Sequence, residues 1–562
     1  MKFFAKLFAV ALLMCAVSVQ AAKVLTSWSP TTGYNKSDAA AWKDDGKTVT
    51  LKGISRGKWI IFRTTPAIPA KAGQKLQFTF KNVKLKGEVK FGYYGYSSGF
   101  SCNDQQDITQ KAVENPVLTV EVPVKGKKVK IVRPRITIMP GSEFSFSSVE
   151  FNVVGKAEPE YAAIAIPDKK DALYDVGDTA KFTLKVTEDG KELNEGKVDV
   201  FVNKNGLFSK KFTFDLSKGP AGFEYKMDEP GFVVASANVV YKGKVIVKRD
   251  SSSQIGAAGF GVDKIKAGKP TPADLLDYWK GEYAKLCKEV PANFQKKHIN
   301  TVNGIRRYQL TCNNFGGTKT YAAITIPDKP GKYPIIFTVP PAGNTVFSYP
   351  TDVQNVIRVT IAVFDRTFAS YADYTKFNKP VWYFYKGAQK RNTYYYYKSI
   401  LGMMRVMDYA MKEIPEWDGK HLAAYGRSQG GGSAFIMAAL NQKIQCVAAD
   451  VPALCDHNAR AAGRRPGWPQ VLDHPAAAKS FAGDAQYFDA ANFAAFIKCP
   501  AVVTVGFYDT MCEPASVYAA FNNLKGEKKI INFTRYGHGW GNRDEKVWEN
   551  ESKALIKRTF AK

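Results

Sequence analysis

Gly426-Arg427-Ser428-Gln429-Gly430 limits what this chain can fold into more than any other segment. The G-x-S-x-G spacing puts a serine on a sharp turn between a strand and a helix. Both flanks agree. His421-Leu422-Ala423-Ala424-Tyr425 is short and mostly apolar, as a buried strand would be. Gly431 and Gly432 lead into Ser433-Ala434-Phe435-Ile436-Met437-Ala438-Ala439-Leu440, a good helix former. The glycines at 426 and 430 leave room for the tight turn and for close strand–helix packing.

The sequence around this turn has the same texture from about Ile255 onward. Pro334 to Val339, Val359 to Phe364, Cys446 to Ala449 and Ala501 to Val505 are apolar runs without alternation, as expected of strands buried on both faces. Between them, Tyr394 to Glu413 carries Ile400, Met404, Met407 and Met411 at helical spacing, a core stripe. This pattern predicts an α/β domain with a mostly parallel sheet over residues 254–562. Gly256-Ala257-Ala258-Gly259 reads as a flexible joint before it.

With 562 residues, further domains are expected upstream. Residues 1–21 have the form of a secretory signal: Lys2 and Lys6, an apolar run from Leu7 to Val17, and Val19-Gln20-Ala21 as cleavage site. Residues 22–155 read as short strands and turns. Leu76, Phe78 and Phe80 alternate with polar residues, as do Phe144, Phe146 and Val149. The expectation is a β-sandwich that is a candidate carbohydrate-binding module. Trp28, Trp42, Trp59, Tyr93, Tyr94 and Tyr96 are available either for stacking on sugar rings or for core packing. Residues 156–253 predict an immunoglobulin-like β-sandwich. Phe182, Leu184 and Val186 alternate before Asp189-Gly190 at a hairpin position, and Val198, Val200 and Val202 alternate after it. This segment reads as a spacer or brace.

Loss of Lys2 and Lys6 with the signal lowers the formal charge from +29 to +27. So basic a protein raises the question of nucleic acid, but the lysines are scattered along strands rather than gathered in one recognition element. They read as a solvated surface, or as attraction to acidic polymers such as glucuronate-bearing polysaccharide. No apolar run beyond the signal has transmembrane length. Seven of the eight cysteines remain after the signal, so at least one thiol is free, and Cys287–Cys312 is a candidate disulfide. No Cys/His spacing fits structural zinc, and no metal is expected.

A serine needs a base to take its proton, and the base needs an acid to hold its tautomer. Downstream of Ser428 the base candidates are His457, His474 and His538. His538 stands in the glycine-flanked loop Tyr536-Gly537-His538-Gly539-Trp540, just after an apolar strand, where such sheets place chemistry. The acid candidates are Asp450, Asp456 and Asp509, and Asp509 directly follows the strand ending at Phe507. Ser428, Asp509 and His538 are therefore the expected triad, in the chain order Ser, Asp, His. The oxyanion calls for two backbone N–H donors. Gln429 supplies one. In Pro340-Pro341-Ala342-Gly343 the prolines have none, so Ala342 is the second candidate and Gly343 the next. Trp540 is a candidate pocket residue. This chemistry requires no cofactor.

Ser428-Gln429-Gly430-Gly431, the segment Ala449-Asp450-Val451-Pro452-Ala453-Leu454-Cys455-Asp456 and the segment Asp509-Thr510-Met511-Cys512-Glu513-Pro514-Ala515-Ser516 resemble the acetyl xylan esterase/cephalosporin C deacetylase family. Pro272 to Trp279 resembles that family's first helix. The resemblance covers about residue 256 to the end. It implies an α/β-hydrolase that removes acetyl groups from sugars, with Ser428, Asp509 and His538 on the family's triad. O-acetylated xylan or its oligosaccharides is the implied substrate. Two positions depart from the family: Asp365-Arg366-Thr367 stands where Arg-Gly-Gln is common, and Gly539 stands where glutamate is common. The alternatives are a feruloyl or other acyl esterase on the same triad, and a carbohydrate-binding protein with a decayed hydrolase domain.

Overall fold

The structure is a computed structural model that describes residues 17–20, 28–30, 42–44, 48–52, 60–64, 68–96, 104–126, 129–250, 253–343, 349, 355–368, 371–539 and 543–561. The chain forms two compact units, which divide between Glu160 and Tyr161. Residues 1–16 and 21 of the expected signal lie outside the described residues, as do Cys102, Trp59 and Trp540.

The first unit is built on an 11-stranded sheet. Its longest hairpin pairs Lys75–Tyr96 with Asp104–Pro123. Period-two alternation sends Phe78, Phe80, Phe91, Phe144, Phe146 and Val149 into one core. Tyr93 is wholly buried and its hydroxyl donates to Asp104, while Tyr94 lies 4.5 Å beneath the Arg135 guanidinium.

The second unit begins with a four-stranded and a six-stranded sheet that share one core. Phe182, Leu184 and Val186 come from one; Val198, Val200, Val202 and Val239 come from the other. Four strands of the six-stranded sheet matter below: β1 (Lys197–Lys204), β2 (Leu207–Asp215), β3 (Gly231–Tyr241) and β4 (Gln254–Phe260). The Gly256–Gly259 stretch, expected as a joint, is part of β4 and pairs with β3. Its glycines serve close packing: a Cβ on Gly256 would stand 2.5 Å from the Ala165 carbonyl oxygen.

A nine-stranded sheet follows, with β5 (Gln295–Val302), β6 (Ile305–Asn313), β7 (Lys319–Pro327), β8 (Tyr333–Thr338), β9 (Ile357–Ile361), β10 (Trp417–Arg427), β11 (Cys446–Asp450), β12 (Ala501–Gly506) and β13 (Lys528–Phe533). Their order across the sheet is β5-β6-β7-β9-β8-β10-β11-β12-β13. Pairing is antiparallel from β5 to β9 and parallel from β9 to β13. Alternate residues of the central strands face opposite layers. Ile335, Phe337, Ala424, Val447 and Val503 face helices α1 (Leu275–Glu289), α2 (Tyr395–Glu413), α3 (Gln429–Leu440) and α4 (Pro514–Asn523). Ile336, Ala423, Cys446 and Val502 face Trp548 and Leu555 of α5 (Glu545–Phe560). Burial on both faces is why these strands carry no polar alternation.

Cys287 and Cys312 are both free thiols, the first exposed and the second buried, so the candidate disulfide is absent. Among the described residues no helix is long and apolar enough to cross a membrane.

Candidate active site

β10 ends at Arg427, and α3 starts at Gln429. Ser428 between them has φ 55° and ψ −121°, a strained conformation for a side-chain-bearing residue. Its surroundings hold it there. Its N–H donates to the Asp450 carbonyl at 2.8 Å, and its carbonyl accepts the Ala453 and Gly432 N–H groups at 2.9 and 3.1 Å. The flanking glycines are required by contact. A Cβ on Gly426 would lie 2.3 Å from the Gly430 backbone, and one on Gly430 would lie 2.0 Å from the Val339 carbonyl oxygen. The turn thus presses the start of α3 against the end of the β8 segment.

The strand ends bring three predicted residues together. His538 Nε2 is 3.0 Å from Ser428 Oγ, and His538 Nδ1 is 2.8 Å from Asp509 Oδ2. Asp509 Oδ1 accepts the Met511 and Cys512 N–H groups, each at 2.8 Å, so the buried carboxylate is aimed by its own turn. Burial disfavours the charged form of His538. Cys512 and Asp509 beside it act the other way and prevail, so its pKa stands above the ordinary histidine value.

The remaining candidates sit elsewhere. Asp450 is buried, 3.0 Å from Arg543 Nη1 and 3.5 Å from Arg427 Nη1, and it accepts the Thr504 hydroxyl. Asp456 pairs with Arg464 at 2.9 Å and accepts the Gly268 N–H. His457 is wholly buried, with its N–H on Asp489, and burial lowers its pKa to about 4. His474 stacks on Tyr385 at 3.7 Å.

Several contributors gave no signal in the sequence. Arg427, the variable residue of the G-x-S-x-G turn, donates from Nη2 to the Tyr536 hydroxyl at 2.5 Å and to the His538 carbonyl at 3.2 Å. It ties the histidine loop to the serine turn. Gln429 is held by its side chain. Its Nε2 donates to the Pro340 carbonyl at 3.0 Å, while its Oε1 accepts the buried hydroxyls of Tyr396, at 2.7 Å, and Tyr383. Ala342 and Gly343 form an exposed turn just beyond Pro340. Tyrosines in an aromatic-rich stretch look like any core residue, so only contact reveals this clamp.

Among the described residues Asp509, Cys512 and His538 form a group whose donor atoms lie within 4.8 Å of one another, close enough to hold a metal ion. Two of the three, His538 and Asp509, are already hydrogen-bonded to each other through Nδ1 and Oδ2.

The family described as acetyl xylan esterase (AXE1) matches residues 261–464 and 470–551, just over half of the chain. The chain belongs to the acetyl xylan esterase family. It is accordingly a carboxylic ester hydrolase. Acetyl esterase Axe7A of Xylanibacter ruminicola is 26% identical to this family member over 393 residues, 66% of this chain and 85% of the relative. Among solved structures, an acetyl xylan esterase from Paenibacillus sp. R4 is 21% identical with a TM-score of 0.45, covering 53% of this chain and 98% of its own. Acetyl xylan esterase 1 from Thermoanaerobacterium sp. JW/SL YS485 is 20% identical with a TM-score of 0.43, covering 53% and 97%.

Proposed function

We propose that this esterase is an exported serine deacetylase acting on O-acetylated xylan or xylo-oligosaccharides. The observation that carries this reading is the hydrogen-bonded series Ser428 Oγ, His538, Asp509 in a member of the acetyl xylan esterase family. Ser428 attacks the acetyl carbonyl while His538 Nε2 takes its proton. Asp509 holds the Nδ1–H tautomer and stabilises the imidazolium as it forms. The backbone N–H groups of Gln429 and Ala342 receive the oxyanion, each contributing about 3 kcal/mol to transition-state binding. His538 then gives that proton to the departing sugar oxygen as its bond to the acetyl carbon breaks, which leaves the free hydroxyl. Water, deprotonated by the same imidazole, releases acetate from the acyl-serine.

In this reading residues 1–21 are the export signal, residues 22–155 and 156–253 are two β-sandwiches, and residues 254–562 carry the chemistry on a mostly parallel sheet. The first sandwich holds the polymer.

The test compares acetate release from acetylated xylan with ferulate release from feruloylated arabinoxylan. A larger kcat/KM for acetate supports the proposal. A larger value for ferulate replaces it with a bulky-acyl esterase, and polymer binding without turnover of either ester replaces it with a binding protein.

A further inference from the structure

The six-stranded β-sheet does more than precede the catalytic sheet. Its β1–β2 hairpin turns at Asn205 and Gly206, and that tip sits on two loops at the carboxyl edge of the nine-stranded sheet. Arg465, in the excursion after β11, donates its N–H to the Asn205 carbonyl at 2.9 Å. A Cβ on Gly206 would lie 2.6 Å from Arg465 Cβ and 3.1 Å from Glu513 Oε2, so only glycine fits this approach. Glu513 begins α4, four residues after Asp509, and faces Arg465 Nη1 at 3.5 Å. The tip is itself fixed. Asn205 exchanges hydrogen bonds with Phe232 of β3 (2.7 and 2.9 Å). Phe232 in turn packs edge-on against Phe507, two residues before Asp509, at 4.9 Å.

The hairpin and the loop after Asp509 each carry an exposed apolar side chain. Phe208, two residues beyond Gly206, is 62% exposed. Met511, whose N–H holds Asp509, is 42% exposed, and its carbonyl accepts the Trp468 N–H at 2.8 Å. Trp468 contacts Phe384 at 4.7 Å, and Phe384 stacks on Trp382, which is 40% exposed. Trp382 precedes Tyr383, whose hydroxyl donates to Gln429. Phe208 and Met511 flank the contact of the hairpin tip with the Arg465 and Glu513 loops, two residues from Gly206 and from Glu513 respectively, so open apolar side chains border the loop that carries Asp509. The faces of pyranose rings are C–H surfaces that aromatic and thioether side chains cover well.

We propose that the β1–β2 hairpin tip forms one wall of the substrate cleft, with Phe208, Met511 and Trp382 as an apolar platform for the sugar rings flanking the acetylated one. This rests on the deacetylase reading and deepens it: the enzyme is built for a chain of sugars rather than for a single acetylated unit. The second β segment then contributes to specificity.

The experiment measures kcat/KM on acetylated xylo-oligosaccharides and on 4-nitrophenyl acetate, and takes their ratio, for wild type, Phe208→Ala, Phe208→Trp and the control Val245→Ala. Val245 is also exposed but lies on another strand of the sheet, Lys244–Val247. The platform predicts that the ratio falls about tenfold in Phe208→Ala, as loss of an aromatic contact of one to two kcal/mol implies by about 1.4 kcal/mol per tenfold, and recovers in Phe208→Trp. A ratio within about twofold of wild type in Phe208→Ala, or an equal fall in Val245→Ala, overturns it. A wild-type protein that turns over 4-nitrophenyl acetate but no acetylated oligosaccharide overturns the deacetylase reading itself, and the platform with it.

Discussion

His538 sits between a buried carboxylate and a serine hydroxyl, and in the proposed mechanism its proton affinity sets the pH range over which the serine can be activated. Only the neutral imidazole accepts a proton. In the proposed mechanism its raised pKa predicts an acid limb of the kcat/KM–pH profile above the ordinary histidine range, with activity rising as pH rises through it. Asp509→Asn removes the charge that favours the imidazolium. In that variant the limb moves to lower pH while kcat falls by about 10⁴, the cost of losing the correct tautomer. For stability the sign is opposite. Stabilisation from a histidine with a raised folded pKa is complete below its unfolded value and is lost as pH climbs through the folded one. Gln429 offers a second test at this scale. Gln429→Ala releases the Pro340 carbonyl and with it the Ala342 turn, so kcat should fall about 10²-fold with KM nearly unchanged. An unaltered kcat would show that the side-chain clamp does not set the oxyanion loop.

Among the elements, β11 and β12 end in a buried polar cluster that holds the serine turn and the histidine loop together. Asp450 at the end of β11 is met by Arg543, Arg427 and Thr504. Arg543→Met leaves the Asp450 carboxylate short of its closest cation, and urea unfolding should show a loss of about 3 kcal/mol. A change under about 1 kcal/mol would mean that Arg427 alone neutralises it. The strands that carry this cluster were legible in the sequence because burial on both faces leaves an apolar run with no other reading. Ser428, Asp509 and His538, the residues expected as a triad, each stand in a loop after a strand of the same sheet, and the hydrogen bonds from Ser428 to His538 and from His538 to Asp509 show them side by side. What stayed hidden depends on contacts between distant residues. Asp450 looked like an alternative acid until Arg543, 93 residues away, was seen beside it. Gly256 and Gly259 looked like flexibility because a glycine needed for close packing and one needed for motion read alike.

For the whole molecule, residues 161–562 form one compact unit, although the sequence divides them near residue 254. The reason lies in Phe232 of β3, which packs on Phe507 ahead of Asp509, and in Asn205 of the hairpin tip, whose carbonyl accepts the Arg465 N–H in the excursion after β11. A truncated protein beginning at Tyr161 should keep full turnover of 4-nitrophenyl acetate and melt in one transition. One beginning at Gly261 loses β4 and the Phe232 contact and should not reach a folded state; a soluble, active product would show that the β segment is dispensable. In the proposed mechanism acetate leaves the glycan through an acyl-enzyme on Ser428. The most direct test is acetate release from acetylated xylan by wild type and Ser428→Ala, matched for thermal stability. A fall of about 10⁵- to 10⁶-fold in the variant is the predicted result, whereas release by Ser428→Ala at a rate near that of wild type would contradict it.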